Sequence, residues 1–330
     1  MLVSVPQNPQ RPTSMTMQHA LAGLYTPPPA QPSSDLRPLP GHPKPQRRNS
    51  TPSSPATSIA GSASGNTVQC SGQTKAGRRC TRQVKIPMSV ARLDEDEDEA
   101  VEIFCFQHSK ELMGQSGFYA RQNGEWVEYK DWIPNYLSQD TQVALRIEME
   151  KARSLSDQAG YIYTFEIRDK KTPSHIHLKV GRAVNLTKRI DEWGKQCKSK
   201  EPILRGWWPG SVEEDNSSLL KGRVKAGDKG PCCHRLERLV HLELTDLTLN
   251  KPYLHPNFPN QAPTPGNGRT NSNSTASGKK ADARCEDCGQ RHKEIFTFER
   301  PQIGPYVGKE WEKLVLPVIE KWGGFVRAYV

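Results

Sequence analysis

The chain has 330 residues, enough for two domains, but only 34% are hydrophobic and the mean hydropathy is −0.74. This excludes a single core filling the whole length. A net charge of +10 and a pI near 9.2 fit a polyanionic partner without choosing between nucleic acid and an acidic membrane. No apolar run approaches the roughly 18 residues of a bilayer span, and the opening MLVSVPQNPQ lacks the apolar core of a signal peptide. The expected setting is therefore intracellular, nuclear or cytoplasmic, where eight cysteines point to metal binding ahead of disulfides.

Residues 1–66 hold 13 of the 27 prolines, with Ser, Thr and Gln filling much of the rest. Such a segment buries too little apolar surface to offset its ordering entropy, and it reads as a disordered tail. A compact module follows over residues 67–112. Cys70, Cys80, Cys105 and His108 give the spacing C-x9-C-x24-C-x2-H, a tetrahedral Cys3His zinc set with no open position, hence structural. The run from Asp94 to Glu99 between the second and third ligands is all acidic, and mutual repulsion makes it a solvated loop.

Residues 113–158 read as a helical lead-in. Asp140 or Thr141 caps a helix through Val143, Leu145, Ile147 and Met149. Residues 159–300 form the main domain, interrupted by a disordered insertion over 256–282. The domain opens with the aromatic and β-branched run Tyr161–Ile167, a strand. Ile176–Val180 is a second strand that stops at Gly181. Asn185 stands at a helix N-cap, and Leu186, Ile190 and Trp193 recur at helical spacing.

Together, Tyr161-Ile162-Tyr163, then Lys179-Val180-Gly181, then Arg189 on the following helix resemble the GIY-YIG nuclease superfamily. Within it, the stretch 160–296 is similar to the branch typified by the bacteriophage T5 open reading frame 172 DNA-binding domain and by fungal meiotically up-regulated proteins. The implied fold is α+β: a small sheet with flanking helices, here preceded by the zinc-stapled module and the tail. The resemblance also implies roles. Tyr161 and Tyr163 help activate water, Arg189 steadies developing phosphate charge, and Glu237 on a later helix holds a magnesium or manganese ion. The first position of the second tripeptide, a tyrosine in the family, is Lys179 here. A lysine binds phosphate more naturally than it abstracts a proton. The expectation is thus DNA binding, with RNA as an alternative, through Lys179, Arg182, Lys188 and Arg189. Metal-dependent endonuclease activity and a zinc-stapled protein-interaction scaffold are the other readings.

Residues 202–209 read as a third strand whose Trp207 and Trp208 point to opposite faces, one in the core and the other free to stack on a base or to cover a helix. The glycine-rich, basic stretch 221–230 reads as a phosphate-contacting loop or a plain connector. A helix from about His234 to Asp246 carries an apolar stripe through Leu236, Leu239, Val240 and Leu244. It also sets Glu237 one turn from both His234 and His241; read without the family, Glu237 is a surface residue between two arginines. Cys232 or Cys233, with His234 or His292, completes a second zinc with the knuckle pair Cys285 and Cys288, unless those two hold no metal. The segment from His292 through Glu294 to Phe296 is a short strand resembling the family's closing H-x-E-x-F. Residues 301–330 end in an amphipathic helix through Trp311, Leu314, Val315, Val318, Ile319 and Trp322, kinked at Pro317.

Overall fold

The computed structural model describes residues 67–91, 102–168, 172–196, 201–210, 226–260, 285, 289, 292 and 294–330. The tail 1–66, the acidic run, the first half of the 221–230 loop, most of the 256–282 insertion and Cys288 lie outside the described residues. Residues 67–330 form one compact α+β unit.

The centre is a four-stranded antiparallel sheet in the order β7-β5-β6-β8. Its strands are β5 (Tyr161–Arg168), β6 (His175–Ala183), β7 (Glu201–Trp208) and β8 (Ile295–Glu299). Alternation along β5 divides two cores. Tyr161, Tyr163, Phe165 and Ile167 face one side, where they meet Leu186 and Trp193 of helix α4 (Leu186–Gln196) and Trp207. Ile162 faces the other side, with Ile176, Leu178 and Val180 of β6 and Phe296 and Phe298 of β8. This second face is closed by α5 (Cys233–Asn250) and α6 (Leu316–Tyr329). Because both faces are covered, the first seven residues of β5 are buried.

Two small hairpins, β1 (Thr67–Gln69) with β2 (Gln83–Lys85) and β3 (Gly117–Tyr119) with β4 (Trp126–Glu128), precede the sheet. Two short helices, α1 (Met88–Ala91) and α2 (Phe106–Met113), lie between them, and a 3-10 turn at Tyr129–Asp131 follows the second hairpin. The expected lead-in helix is α3 (Gln139–Glu150), which packs on α5. Their contact buries charge: Glu148 lies against Arg235 and Arg238 at 3.7 and 3.2 Å.

The N-cap expected for α4 is present, with the Lys188 N–H donating to Asn185 Oδ1 at 3.0 Å. Helix α5 begins differently. Cys232 takes a left-handed conformation (φ 49°) and offers no side-chain cap. Asp157, far off in sequence, accepts from the N–H groups of His234 and Arg235 at 2.9 and 3.1 Å. At the C-terminus the chain opens with a π-helical turn, Trp311–Val315, before α6. Pro317 therefore falls at the junction of the π-helical turn and α6, the place where the sequence led a kink to be expected.

Both tryptophans of β7 are structural. Trp207 belongs to the α4-side core, and Trp208 lies where a side chain on Gly323 of α6 would be, with the Arg327 guanidinium 5.1 Å from its ring centre. Phe258, at the start of the predicted insertion, packs between Tyr136 and Tyr306 at ring distances of 4.8 and 5.4 Å. No described helix is long and apolar enough to cross a membrane.

Candidate functional site

The two motif strands are neighbours, and their register sets the site. Tyr161 pairs with Ala183, Ile162 with Arg182 and Tyr163 with Gly181. On the other edge of β6, β8 pairs only as far as Lys179 with Ile295. Beyond that point the backbone of β6 is served by other groups. The Val180 N–H donates to the Glu294 carbonyl at 3.0 Å, and the His241 ring bonds the Val180 carbonyl through Nε2 at 2.9 Å. The end of β8 thus brings Glu294 and α5 to the same place as the second tripeptide.

Seven ionisable side chains meet there. Arg189 donates from Nε to the Tyr163 hydroxyl at 3.1 Å. Burial, followed by the charge of Glu294, pushes the Tyr163 phenol well above its ordinary value. It is a neutral hydroxyl at physiological pH, not a phenolate base. Lys179 is 2% exposed and forms an ion pair with Glu294. Its ammonium also lies 4.7 Å from the ring centre of Trp193. Burial draws the lysine below its usual value; burial would raise Glu294, but Lys179 outweighs it and holds the carboxyl down, so the carboxylate stays ionised. Glu237 is buried on α5 and accepts from the Arg182 backbone N–H at 2.9 Å and from its guanidinium. His241 Nε2 lies 4.0 Å from the same carboxylate.

The expected residues therefore fall into groups. Tyr163, Arg189, Lys179, Arg182 and Glu237 surround one point on β6. Tyr161 stands apart, its hydroxyl donating to the Gly227 carbonyl at 2.6 Å. Lys188 points outward, with its side chain 74% exposed and 3.8 Å from Glu192. Lys179 is enclosed instead of lining the surface, because α4 and the residues before β8 cover its face of the sheet. Glu294 and His241 complete the group. Sequence reasoning noted both positions but assigned neither a role; the H-x-E-x-F resemblance was the available signal.

A second constellation is formed by Cys70, Cys80, Cys105 and His108, all buried, with their ligand atoms within 4.8 Å of one another. Cys70 follows β1 and Cys80 precedes β2, so the hairpin carries both to one place, while Cys105 and His108 sit one turn apart at the start of α2. His108 Nδ1 lies 3.3 Å from both Cys70 Sγ and Cys105 Sγ. Its Nε2 bonds the Gln73 carbonyl at 2.9 Å, an arrangement that turns Nδ1 toward the sulfurs. Backbone N–H groups of Gly72 and Cys105 donate to Cys70 Sγ at 3.4 and 3.1 Å. Gly72 has no room for a side chain, since a Cβ would stand 2.4 Å from the His108 ring. Burial raises the Cys70 thiol. For Cys105, burial acts upward but the N–H of His108 and the Arg82 guanidinium prevail and bring it down to about 6. Three thiols, one imidazole, a supporting shell of donors and close mutual approach fit a tetrahedral metal ion.

The other expected ligand set is not assembled among the described residues. Cys232 is fully buried in the α5-side core, Cys285 packs on the α4-side core, and Cys288 lies outside the described residues. Cys232 is thus placed by the packing of α5, across the sheet from Cys285.

Comparison with known proteins bears on the first of these sites. A family model described as meiotically up-regulated gene 113 matches residues 175–255. The match runs from β6 through α4, β7 and α5 to the 3-10 turn at Pro252–Leu254, so it includes Lys179, Arg189 and Glu237 but neither Tyr163 nor Glu294. It agrees with the resemblance to fungal meiotic proteins drawn from the motifs. No curated protein and no solved structure matches the chain.

Proposed function

We propose that this chain is a zinc-stapled DNA-binding protein whose GIY-YIG-like site holds the phosphate backbone at the outer face of α4. The observation that carries this reading is the state of Glu237. The carboxylate that a hydrolytic metal would need already accepts two bonds from Arg182 and is buried. Lys179 likewise spends its charge on Glu294. The cations at the surface of α4 are Lys188 and Arg189, which share the exposed Glu192 at 3.8 and 3.4 Å; Arg189 has a side chain 35% exposed and is oriented by Tyr163. In this reading Lys188 and Arg189 touch phosphates, Arg182 does so at the margin, and Lys179 positions the strand from within. The Cys3His set holds a zinc ion, which supplies no chemistry beyond fastening the hairpin β1–β2 to α2.

A metal-dependent endonuclease is the second reading, favoured by the Arg189–Tyr163 bond beside two carboxylates. A salt titration of duplex DNA binding tests the first reading. Removing Lys188 and Arg189 lowers the slope of log K against log salt by roughly 2, at about 0.9 per phosphate contact. Incubation with Mg²⁺ or Mn²⁺ and plasmid or branched DNA tests the second. Nicking that disappears in Glu237→Gln would make the protein an enzyme; salt-sensitive binding without nicking keeps it a binder.

A further inference from the structure

The hairpin held by the Cys3His cluster carries a surface that the site on β6 does not use. Residues 67–91 contain Lys75, Arg78, Arg79, Arg82 and Lys85 and no acidic residue. Residues 73–79 are all exposed. The tip is nonetheless defined. Thr74 and Arg78 are bonded N–H to carbonyl at 2.8 Å, the Thr74 hydroxyl donates to the same carbonyl at 3.1 Å, and Gln73 bridges Arg79. Gly77 turns the chain at φ 73°, and nothing lies within 4 Å of where its Cβ would be. With Cys70 and Cys80 fixed at its base, the turn is ordered before any partner arrives, which lowers the entropic cost of binding.

Two of its arginines are spent on the module. Arg79 donates to the carbonyls of Cys70 and Gln69, both at 3.2 Å, and Arg82 donates to Gln107 Oε1 at 3.0 Å. Lys75, Arg78 and Lys85 form no ion pair among the described residues. Next to Gln107 stands Phe106, 79% exposed although it directly follows a buried metal ligand. It has no ring partner among the described residues. An exposed aromatic next to the residue that Arg82 bonds, on the same module as cations without an ion pair among the described residues, is a combination that suits an unpaired nucleic-acid strand: phosphates on the cations and a base on the ring. An acidic peptide would satisfy the cations but leave Phe106 unexplained.

We infer that the turn 73–79, with Lys85 and Phe106, is a second nucleic-acid contact that engages an unpaired strand. The inference rests on the reading of the chain as a nucleic-acid binder. Its test uses the full chain with labelled oligothymidine and labelled duplex DNA, measured by fluorescence anisotropy over a salt series. The variant Lys75→Ala/Arg78→Ala/Lys85→Ala should bind oligothymidine at least about tenfold more weakly, with the salt slope reduced by roughly 2 at about 0.7 per contact on a single strand. Phe106→Ala should lose affinity several-fold for oligothymidine while binding duplex as before, and Phe106→Trp should restore it. Lys75→Glu, a single change at the exposed tip, repeats the charge test with the least disturbance to the fold.

Unchanged affinity and slope in both charge variants would overturn the inference. If Lys188→Ala/Arg189→Ala still weakened binding in that case, the proposed function would stand. Loss in the turn variants with no effect of Lys188 and Arg189 would support the turn and remove the site on β6 from DNA binding. A wild-type chain that binds polyglutamate chains competing with it in preference to oligothymidine, or binds no nucleic acid, would overturn both.

Discussion

Tyr163 and Gly181 face each other across β5 and β6, and the tyrosine hydroxyl lies 2.8 Å from where a Gly181 side chain would begin. The same point is 3.1 Å from Glu294 Oε2. The glycine of the second tripeptide is therefore required by the tyrosine of the first, and by the carboxylate that arrives with β8. Gly181→Ala should destabilise the protein by about 1–3 kcal/mol through overpacking. The urea midpoint should fall with little change in slope, and the Arg189–Tyr163 contact should be lost with it.

Glu294→Ala leaves the enclosed Lys179 ammonium without its counter-charge. Breaking a buried pair from one side costs about 3–5 kcal/mol, and the low end applies because the Glu294 side chain is 35% exposed. The double variant Lys179→Met/Glu294→Gln should recover most of the loss in a denaturation series, since it removes both charges.

The same pair gives the stability a pH dependence. Lys179 holds the Glu294 carboxyl below its ordinary 4.5, so the folded state binds its proton less readily than the unfolded chain does. The stabilisation is fully present above that ordinary value and is lost as the pH falls through the lower folded value. Urea midpoints measured downward from neutral pH should therefore decline in the acid range. Glu294→Gln should show a shallower decline there.

If the Cys3His cluster holds zinc as proposed, removing that ion should loosen the module around it. With a chelator present, or in Cys70→Ser, the hairpin β1–β2 loses its tie to α2, and thermal unfolding should begin earlier. Metal analysis of the untreated chain should return about one zinc per chain, the capacity of a closed four-ligand site. A second equivalent retained through purification would mean that the knuckle cysteines find partners after all.

Glu243 anchors the C-terminal helix. It is fully buried on α5, pairs with Lys321, and accepts from Trp322 Nε1 at 2.7 Å and from the Tyr136 hydroxyl at 3.0 Å. Glu243→Ala should cost about 3–5 kcal/mol, the figure for one-sided loss of a buried pair. The change should appear as an early loss of near-ultraviolet signal from the packed tryptophans.

The strands β5 and β6, the Asn185 cap and helix α5 were legible because each has a clear period or punctuation in the sequence. The hairpins β1–β2 and β3–β4 were not, since strands of three residues carry too little alternation to read. The Cys3His spacing was read correctly as one cluster because its ligands lie on short local elements. Lys179 was harder. His175, His177 and Lys179 alternate with Ile176, Leu178 and Val180, which in a strand reads as a solvent face opposite a core face. Here Trp193 and Glu294 cover the lysine, and nothing local to β6 announces either.

One consequence follows from where Glu294 sits in the chain. Tyr163, Lys179, Arg189 and Glu237 are all made before it, and β8 follows it immediately. During synthesis the β6 edge waits, with a lysine that has not yet met its carboxylate, until the chain has been made through Glu294. Long-range strand pairing of this kind is slow to form. The site is thus closed last, and a chain stopped short of residue 299 would carry the motifs without the arrangement that makes them a site.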